Sequence, residues 1–221
     1  MGLTAAFAER VACTASDEIP EEALHEAGRA FLDCIGVSVA AVHEPVAARI
    51  SAYVARLGGA PHATLIGHSW RTSSPLAALA NGCMAHVLDL DDTTPAICGH
   101  PSAVLVPAIL ALAEEVGASG IDALVSYVLG FDVASRLARM LNPEHYNRGW
   151  HSTGTLLGVG AAAASARVLK LSTQQTTMAL GIAASLVSGL RQNFGTMTKS
   201  LHAGRAAENG VVAALLAAGG W

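Results

Sequence analysis

From Gly149 to Ala166 the chain carries no charged residue, and from Leu171 to Leu190 it carries none again. Runs of this length have two physical outlets, a helix in lipid or a helix buried in protein. A spanning helix needs about 20 mostly apolar residues, dense enough in Leu, Ile and Phe for insertion to be favourable. GWHSTGTLLGVGAAAASA is instead rich in Gly, Ser and Ala, and LSTQQTTMALGIAASLVSGL opens on polar residues. A third uncharged stretch, after Asp92, is broken by Pro95, Pro101 and Pro107. All three read as interior segments of a helical protein, and no membrane partner is expected. The strings GVGAAAASA, GIAASLVSG and AALLAAGG point to helices that approach one another closely. They do not form a phosphate loop: Gly154, Gly158 and Gly160 follow no strand, and the loop's Lys-Ser/Thr is missing.

Composition sharpens the point. The chain has 221 residues, 52% hydrophobic and 14% charged, against about 25% charged in an ordinary soluble domain. Disorder is excluded, because it needs low hydrophobicity and high net charge. The apolar surplus implies that some surface is covered by another chain or by further sequence. Net charge is −4 and no basic run occurs, so nucleic acid is not an expected partner. Cys13, Cys34, Cys83 and Cys98 show no CxxC spacing, and the start MGLTAAFAERVACTASDE lacks the basic n-region of a secretory signal. The expectation is a cytoplasmic protein with reduced, buried thiols.

Local signals place helices along nearly the whole chain. Pro20 precedes EEALHEAGRAFLDCIGVSVAAV, with Glu21 and Glu22 in the first turn, where carboxylates suit the helix dipole. Leu24, Phe31, Ile35 and Val39 follow at helical spacing. A second helix covers about Val46–Leu57 and stops at Gly58-Gly59. Ser73-Ser74-Pro75 starts a third, by a Ser cap and an early Pro, running through Ala85 toward Asp89. Further helices are expected at about Ser102–Val116, Ile121–Met140, Thr153–Leu169, Ser172–Gly189 and Ser200–Ala218, with a capping box at Ser172/Gln175. Thr64–Ile66 is the best extended candidate. The fold class is all-α, in one domain over residues 1–221.

Three polar islands interrupt the apolar helices. In HVLDLDDTTPAICGHPS, a helix would put Asp89, Asp92 and Thr93 on one face, with Asp91 pointing elsewhere and His100 beyond the break. In NPEHYNRGWHSTGT, His151 stands ahead of a helix whose positive N-terminal end could help hold a carboxylate. In RQNFGTMTKSLHAGRAAENG, Lys199, His202 and Arg205 crowd the start of the last helix. A Lys there opposes the dipole unless it faces an anion, and this chain has only one other, Lys170. Imidazoles that titrate near neutrality, an ammonium and a few carboxylates suit binding a small polycarboxylate and moving protons on it. A Ser-His-Asp order and a GxSxG elbow are both missing. DLDD is similar in kind to Mg²⁺-diphosphate motifs, but those need a second acidic motif, and Glu114-Glu115 lies among surface-like residues. No zinc spacing of the HxxxH kind occurs. No metal and no cofactor are expected.

NGCMAHVLDLDDTTPAICGHPSAVLVPAILALAE, GWHSTGTLLGVGAAAASARVLKLS and TKSLHAGRAAENGVVAALLA, with DCIGVSVAA and the ATLIG stretch before RTSSPLAALANG, resemble the MmgE/PrpD family. That family includes 2-methylcitrate dehydratase, cis-aconitate decarboxylase and iminodisuccinate epimerase. The resemblance implies a large helical domain, a smaller α+β lid and a homodimer, acting on di- or tricarboxylates without a redox cofactor. It puts Asp89 and Thr93 in the active-site segment, His100 in the HPS motif and His151 in the GWH segment. Lys199 falls in TKxLH. His100, His151 and Asp89 would be catalytic, and Thr93 and Lys199 substrate-binding. The spacer between Thr93 and His100 is longer than in some relatives. The lid and the final helical return are not in these 221 residues, so a separate chain could supply the lid and the chain alone is expected to show little lyase activity. Water elimination from 2-methylcitrate is the first expectation, with decarboxylation or epimerisation as alternatives. A non-catalytic remnant or assembly module is the alternative of another class.

Overall fold

The computed structural model describes residues 2–221. Ten α-helices lie among them: α1 Leu3–Cys13, α2 Glu21–Ala40, α3 Pro45–Leu57, α4 Ser74–Val87, α5 Ser102–Val116, α6 Gly120–Leu141, the short α7 Glu144–Asn147, α8 Ser152–Val168, α9 Thr173–Leu186 and α10 Met197–Ala218. The all-α expectation is met, and α5 has the bounds that its sequence signals gave. The expected capping box forms at Ser172, whose hydroxyl accepts from the Gln175 N–H. A second forms between Ser119 and Asp122 at the start of α6. Helix α1 was not foreseen, because its apolar pattern is short. It is held by burial of Ala8 and Val11 against Val133, Ala163 and Leu180 and by an Arg10–Asp132 ion pair.

The uncharged runs are interior helices. Nearly all of α8 is buried, packed between α6 and α10. Close approach explains its small residues. A Cβ on Gly160 would meet the carbonyl oxygen of Gly130 in α6 at 2.9 Å, and one on Gly210 of α10 would meet the Ala161 backbone at 2.7 Å. No single helix among the described residues is long and apolar enough to cross a membrane; the α2–α3 pair, bent by 93°, meets that test on length and composition alone.

Three local expectations change. Helix α2 buries the small residues Ala27, Cys34 and Ser38, while Ile35 and Val39 of the apparent stripe are exposed. Only two of the four thiols, Cys34 and Cys83, are buried. The extended segment is shorter and shifted, keeping only Thr64 of the expected Thr64–Ile66: β1 is Ala63–Thr64, paired antiparallel with Arg71–Thr72 (β2). Glu114 and Glu115 are not idle surface acids, since they anchor this hairpin. Glu114 Oε2 accepts from the Thr64 N–H and hydroxyl at 2.8 Å and pairs with Arg71. Glu115 accepts from Ser74 at the start of α4.

Candidate active site

Four helix ends converge on one polar pocket. Helix α4 delivers His86 in its last turn and ends at Val87. The chain then turns at Asp89, which takes the left-handed φ of 57° that Asp tolerates better than most residues. The segment from Thr93 to His100 is closed by an antiparallel bridge between Thr94 and Gly99, so the long spacer brings His100 back beside Asp91 just before α5. His151 is the N-cap residue of α8, and its N–H donates to the Gly189 carbonyl at 3.0 Å. Lys199 sits in the first turn of α10. Thr93, Cys98, Gly99, His100, Tyr146, His151, Phe194 and Lys199 line a cavity of about 260 Å³. The N-terminal ends of α5, α8 and α10 all lie around it, so three partial positive charges and one ammonium favour an anion there.

The site residues are bonded in a chain. Lys199 Nζ donates to Asp89 Oδ1 at 2.5 Å, and His100 Nε2 is 3.8 Å from that oxygen. Asp91 is fully buried, with Oδ2 2.8 Å from His86 Nδ1 and 3.3 Å from His100 Nδ1. The His86 ring meets His100 edge-on at 4.6 Å and stacks on His151 at 5.8 Å. His151 Nδ1 lies 3.1 Å from His202 Nδ1, and Phe194 stands edge-on to the His151 ring at 4.7 Å.

The two pocket histidines are pushed apart electrostatically. Burial works against charge on His100, but Asp91 beside it, helped by Asp89, raises it above the ordinary imidazole value despite Lys199. His151 falls to about 2, chiefly by burial, then by the positive fields of His86, His202, Lys199 and His100. Asp91 is held well below the usual carboxylate range, because its two imidazole partners outweigh burial. Asp89 is lowered, first by its bond to Lys199. Asp92 is raised by burial, although Ser102 donates to it through N–H and hydroxyl. The pocket therefore holds two unlike imidazoles: His100 is biased toward its protonated form, and His151 is free of its proton at neutral pH.

These shifts have signs that stability must follow. His151 is depressed in the fold, so its contribution is full above about 6.5, the unfolded imidazole value, and is lost as pH falls toward its folded value. His202 and His145, both lowered by burial, act in the same sense. His100 acts oppositely: its contribution is present below the unfolded value and lost as pH rises through the folded one. The larger His151 shift wins. Urea stability is expected to fall between pH 7 and pH 5, with a slope of up to about 1.4 kcal/mol per unit for each depressed histidine. His151→Gln should flatten that slope; an unchanged slope would mean that His151 is not held neutral.

All five residues singled out from sequence come together: His100, His151, Thr93 and Lys199 on the cavity, and Asp89 at its edge on Lys199. The anion that a Lys at the helix start required is Asp89. The shared helical face of Asp89, Asp92 and Thr93 does not exist, because α4 stops before Asp89 and the carboxylates separate to Lys199, to the histidines and to Ser102. Asp91, expected to point elsewhere, is the buried centre of the histidine cluster. His86 was also missed; the one sequence signal was its spacing of five from Asp91 across a helix end. Arg205 lies outside, paired with Glu208. His86, Asp89, Asp91 and His100 offer ligand atoms all within 4.8 Å of one another and could hold a divalent cation. In this arrangement the Lys199 ammonium and the imidazole protons already balance both carboxylates.

A family model, the MmgE/PrpD N-terminal domain, matches residues 5–221. Among curated proteins, the chain is similar to the cis-aconitate decarboxylase-like protein oryM of Aspergillus oryzae, 32% identical over 213 residues, covering 92% of this chain and 44% of that protein. It is 28% identical over 228 residues to the cis-aconitate decarboxylase of Aspergillus terreus, covering 100% of this chain and 46% of that protein. To the human cis-aconitate decarboxylase it is 30% identical over 222 residues, covering 97% and 46%. The chain spans just under half the length of these relatives. With the family match running from residue 5 to residue 221, the chain belongs to the MmgE/PrpD family.

Proposed function

We propose that this chain is the helical part of a lyase that decarboxylates a small unsaturated tricarboxylate of the cis-aconitate kind. The observation that carries this reading is the cavity in which His100, raised by its carboxylate neighbours, and a neutral His151 flank Lys199 at three helix N-termini. A six-carbon tricarboxylate suits a cavity of about 260 Å³, where the helix N-termini and a Lys199 released from Asp89 would meet its carboxylates. Lys199 would leave Asp89 to hold one substrate carboxylate. The bond from carbon to the departing carboxylate breaks, and its electron pair moves into the adjoining double bond and the carboxylate conjugated with it. The proton on His100 Nε2 goes to the carbon at the far end of that system. Carbon dioxide leaves, the product is methylenesuccinate, and His100 regains its proton from water. The names of the relatives support decarboxylation over the water elimination expected from sequence.

One observation favours elimination as a second reading. Decarboxylation needs only an acid, whereas the pocket also holds a proton-free imidazole, His151, part of whose lowering comes from positive fields that a bound tricarboxylate would offset. In an elimination from a 2-methylcitrate-like substrate, His151 would take the proton next to a carboxylate and His100 would protonate the departing hydroxyl.

The test is a nuclear magnetic resonance titration of the chain with cis-aconitate, 2-methylcitrate and acetate. The two tricarboxylates are expected to shift His100, His151 and Lys199 saturably, and acetate is not. No response at these residues to either tricarboxylate would overturn the proposal. Methylenesuccinate or a dehydrated product in the same tube would decide between the two readings.

A further inference from the structure

Neither Asp91 nor His86 lines the cavity; the pair lies behind its wall, with both side chains fully buried. Burying a carboxylate is costly unless it is paired, and Asp91 is paired through one atom only. Oδ2 is hydrogen-bonded to His86 Nδ1 at 2.8 Å and stands at ion-pair distance, 3.3 Å, from His100 Nδ1, while Asp91 Oδ1 and His100 Nδ1 have no hydrogen-bond partner. One carboxylate oxygen thus faces two imidazoles, one in the core and one on the pocket.

This fixes the His100 ring. With Nδ1 turned to Asp91, Nε2 is the nitrogen left for the pocket, on the side of Asp89 and Lys199. The ring is also held by its own backbone, whose N–H donates to Thr153 Oγ1 at 3.1 Å, and by the edge-on His86 ring. His86 in turn stacks on His151, so one core imidazole touches both pocket histidines. The same geometry recurs in protein sites where a carboxylate orients an imidazole and stabilises its charged form.

We propose that Asp91, seconded by His86, is the positioning residue of this site: it sets the His100 ring with Nδ1 toward the buried carboxylate and Nε2 toward the pocket. This deepens the lyase reading and rests on it for the role of His100, but its geometry stands without any substrate. Charged and titratable groups from four segments surround His100. Asp91 and Asp89 of its own segment favour its charge. Lys199 of α10 opposes it, and His86 of α4 and His151 of α8 face it.

The test follows the His100 imidazole by nuclear magnetic resonance in the wild-type chain and in Asp91→Asn, which keeps size and loses charge. In Asp91→Asn the His100 midpoint is expected to fall by about one unit or more, the effect of removing an opposite charge at this distance, while the distant His25 does not move. Loss of the neighbouring charge lowers this midpoint in either case, so the tautomer is read in the variant as well: a ring that keeps the wild-type tautomer without the Asp91 charge, or an unchanged His100 midpoint, would overturn the proposal. If Asp91→Asn does not fold, the wild type decides alone through long-range proton–nitrogen spectra. These are expected to show His100 protonated on Nδ1 when neutral, with Nε2 as the titrating atom; the reverse tautomer overturns it. A His100 shift in a chain that binds neither tricarboxylate would sink the lyase reading and leave the positioning role. Binding with an unmoved His100 would do the opposite.

Discussion

Gly204→Leu is expected to leave the chain unfolded, and Gly204→Ala to lose about 1–3 kcal/mol or more, the usual cost of overpacking. A Cβ at position 204 would lie 2.3 Å from the Leu79 carbonyl oxygen and 2.5 Å from Cys83 Sγ, both in α4. Across the crossing, a Cβ on Gly82 would meet the Gly204 Cα at 2.8 Å. Backbone stands against backbone, so no side chain can swing away. Alanine gains about 1 kcal/mol over glycine inside an open helix, and that gain sets the control. Gly181 lies within α9 with nothing within 4 Å of its added Cβ, so Gly181→Ala should be neutral or stabilising. Urea unfolding followed by circular dichroism reads both. Equal stability of the two alanine variants would mean that α4 and α10 do not meet this closely. The crossing matters beyond stability, because α10 carries Lys199 and His202 into the site and α4 carries His86.

Lys199→Met is expected to weaken binding of cis-aconitate by about ten- to a hundredfold, the range for losing one charged hydrogen bond. The side chain is mostly shielded from solvent and stands 5.6 Å from the centre of the Phe194 ring, so its charge acts in a partly dry place. Removing it should also let the Asp89 carboxyl rise toward its ordinary value, since the bond to Lys199 is the largest cause of its lowering. Calorimetry measures the affinity and carbon-detected titration the carboxyl. Lys199→Arg keeps the charge and should lose less. If methionine binds as well as lysine, the carboxylate is held elsewhere.

Much of this was legible because helices announce themselves locally. Pro20 with Glu21 and Glu22, Ser73 with Pro75, and Ser172 with Gln175 each mark a helix start within a few residues. The uncharged run of α8 announced its burial in the same way. The site residues His100, His151 and Lys199 were legible as polar interruptions at helix ends, and the family strings tied them together. The rest depended on contacts distant in sequence. Helical periodicity extended past Val87 put Asp91 on the wrong side, because only the buried histidines explain why the chain turns there. The outward Ile35 and Val39 follow the same logic: periodicity finds a stripe, and the neighbours of α2 decide which side of it is covered. Nothing local in Glu114 or Glu115 says that a hairpin far upstream will lean on them.

The central claim is that one pocket holds two imidazoles of opposite bias, His100 toward its proton and His151 away from it. The most direct measurement follows the imidazole resonances of His100 and His151 together in the folded wild-type chain as pH is lowered from 8 toward the acid limit of the fold. The account predicts a His100 midpoint above the ordinary value of about 6.5, with His151 still neutral well below it. Two midpoints that coincide near the ordinary value, or a His151 that takes its proton first, would contradict it.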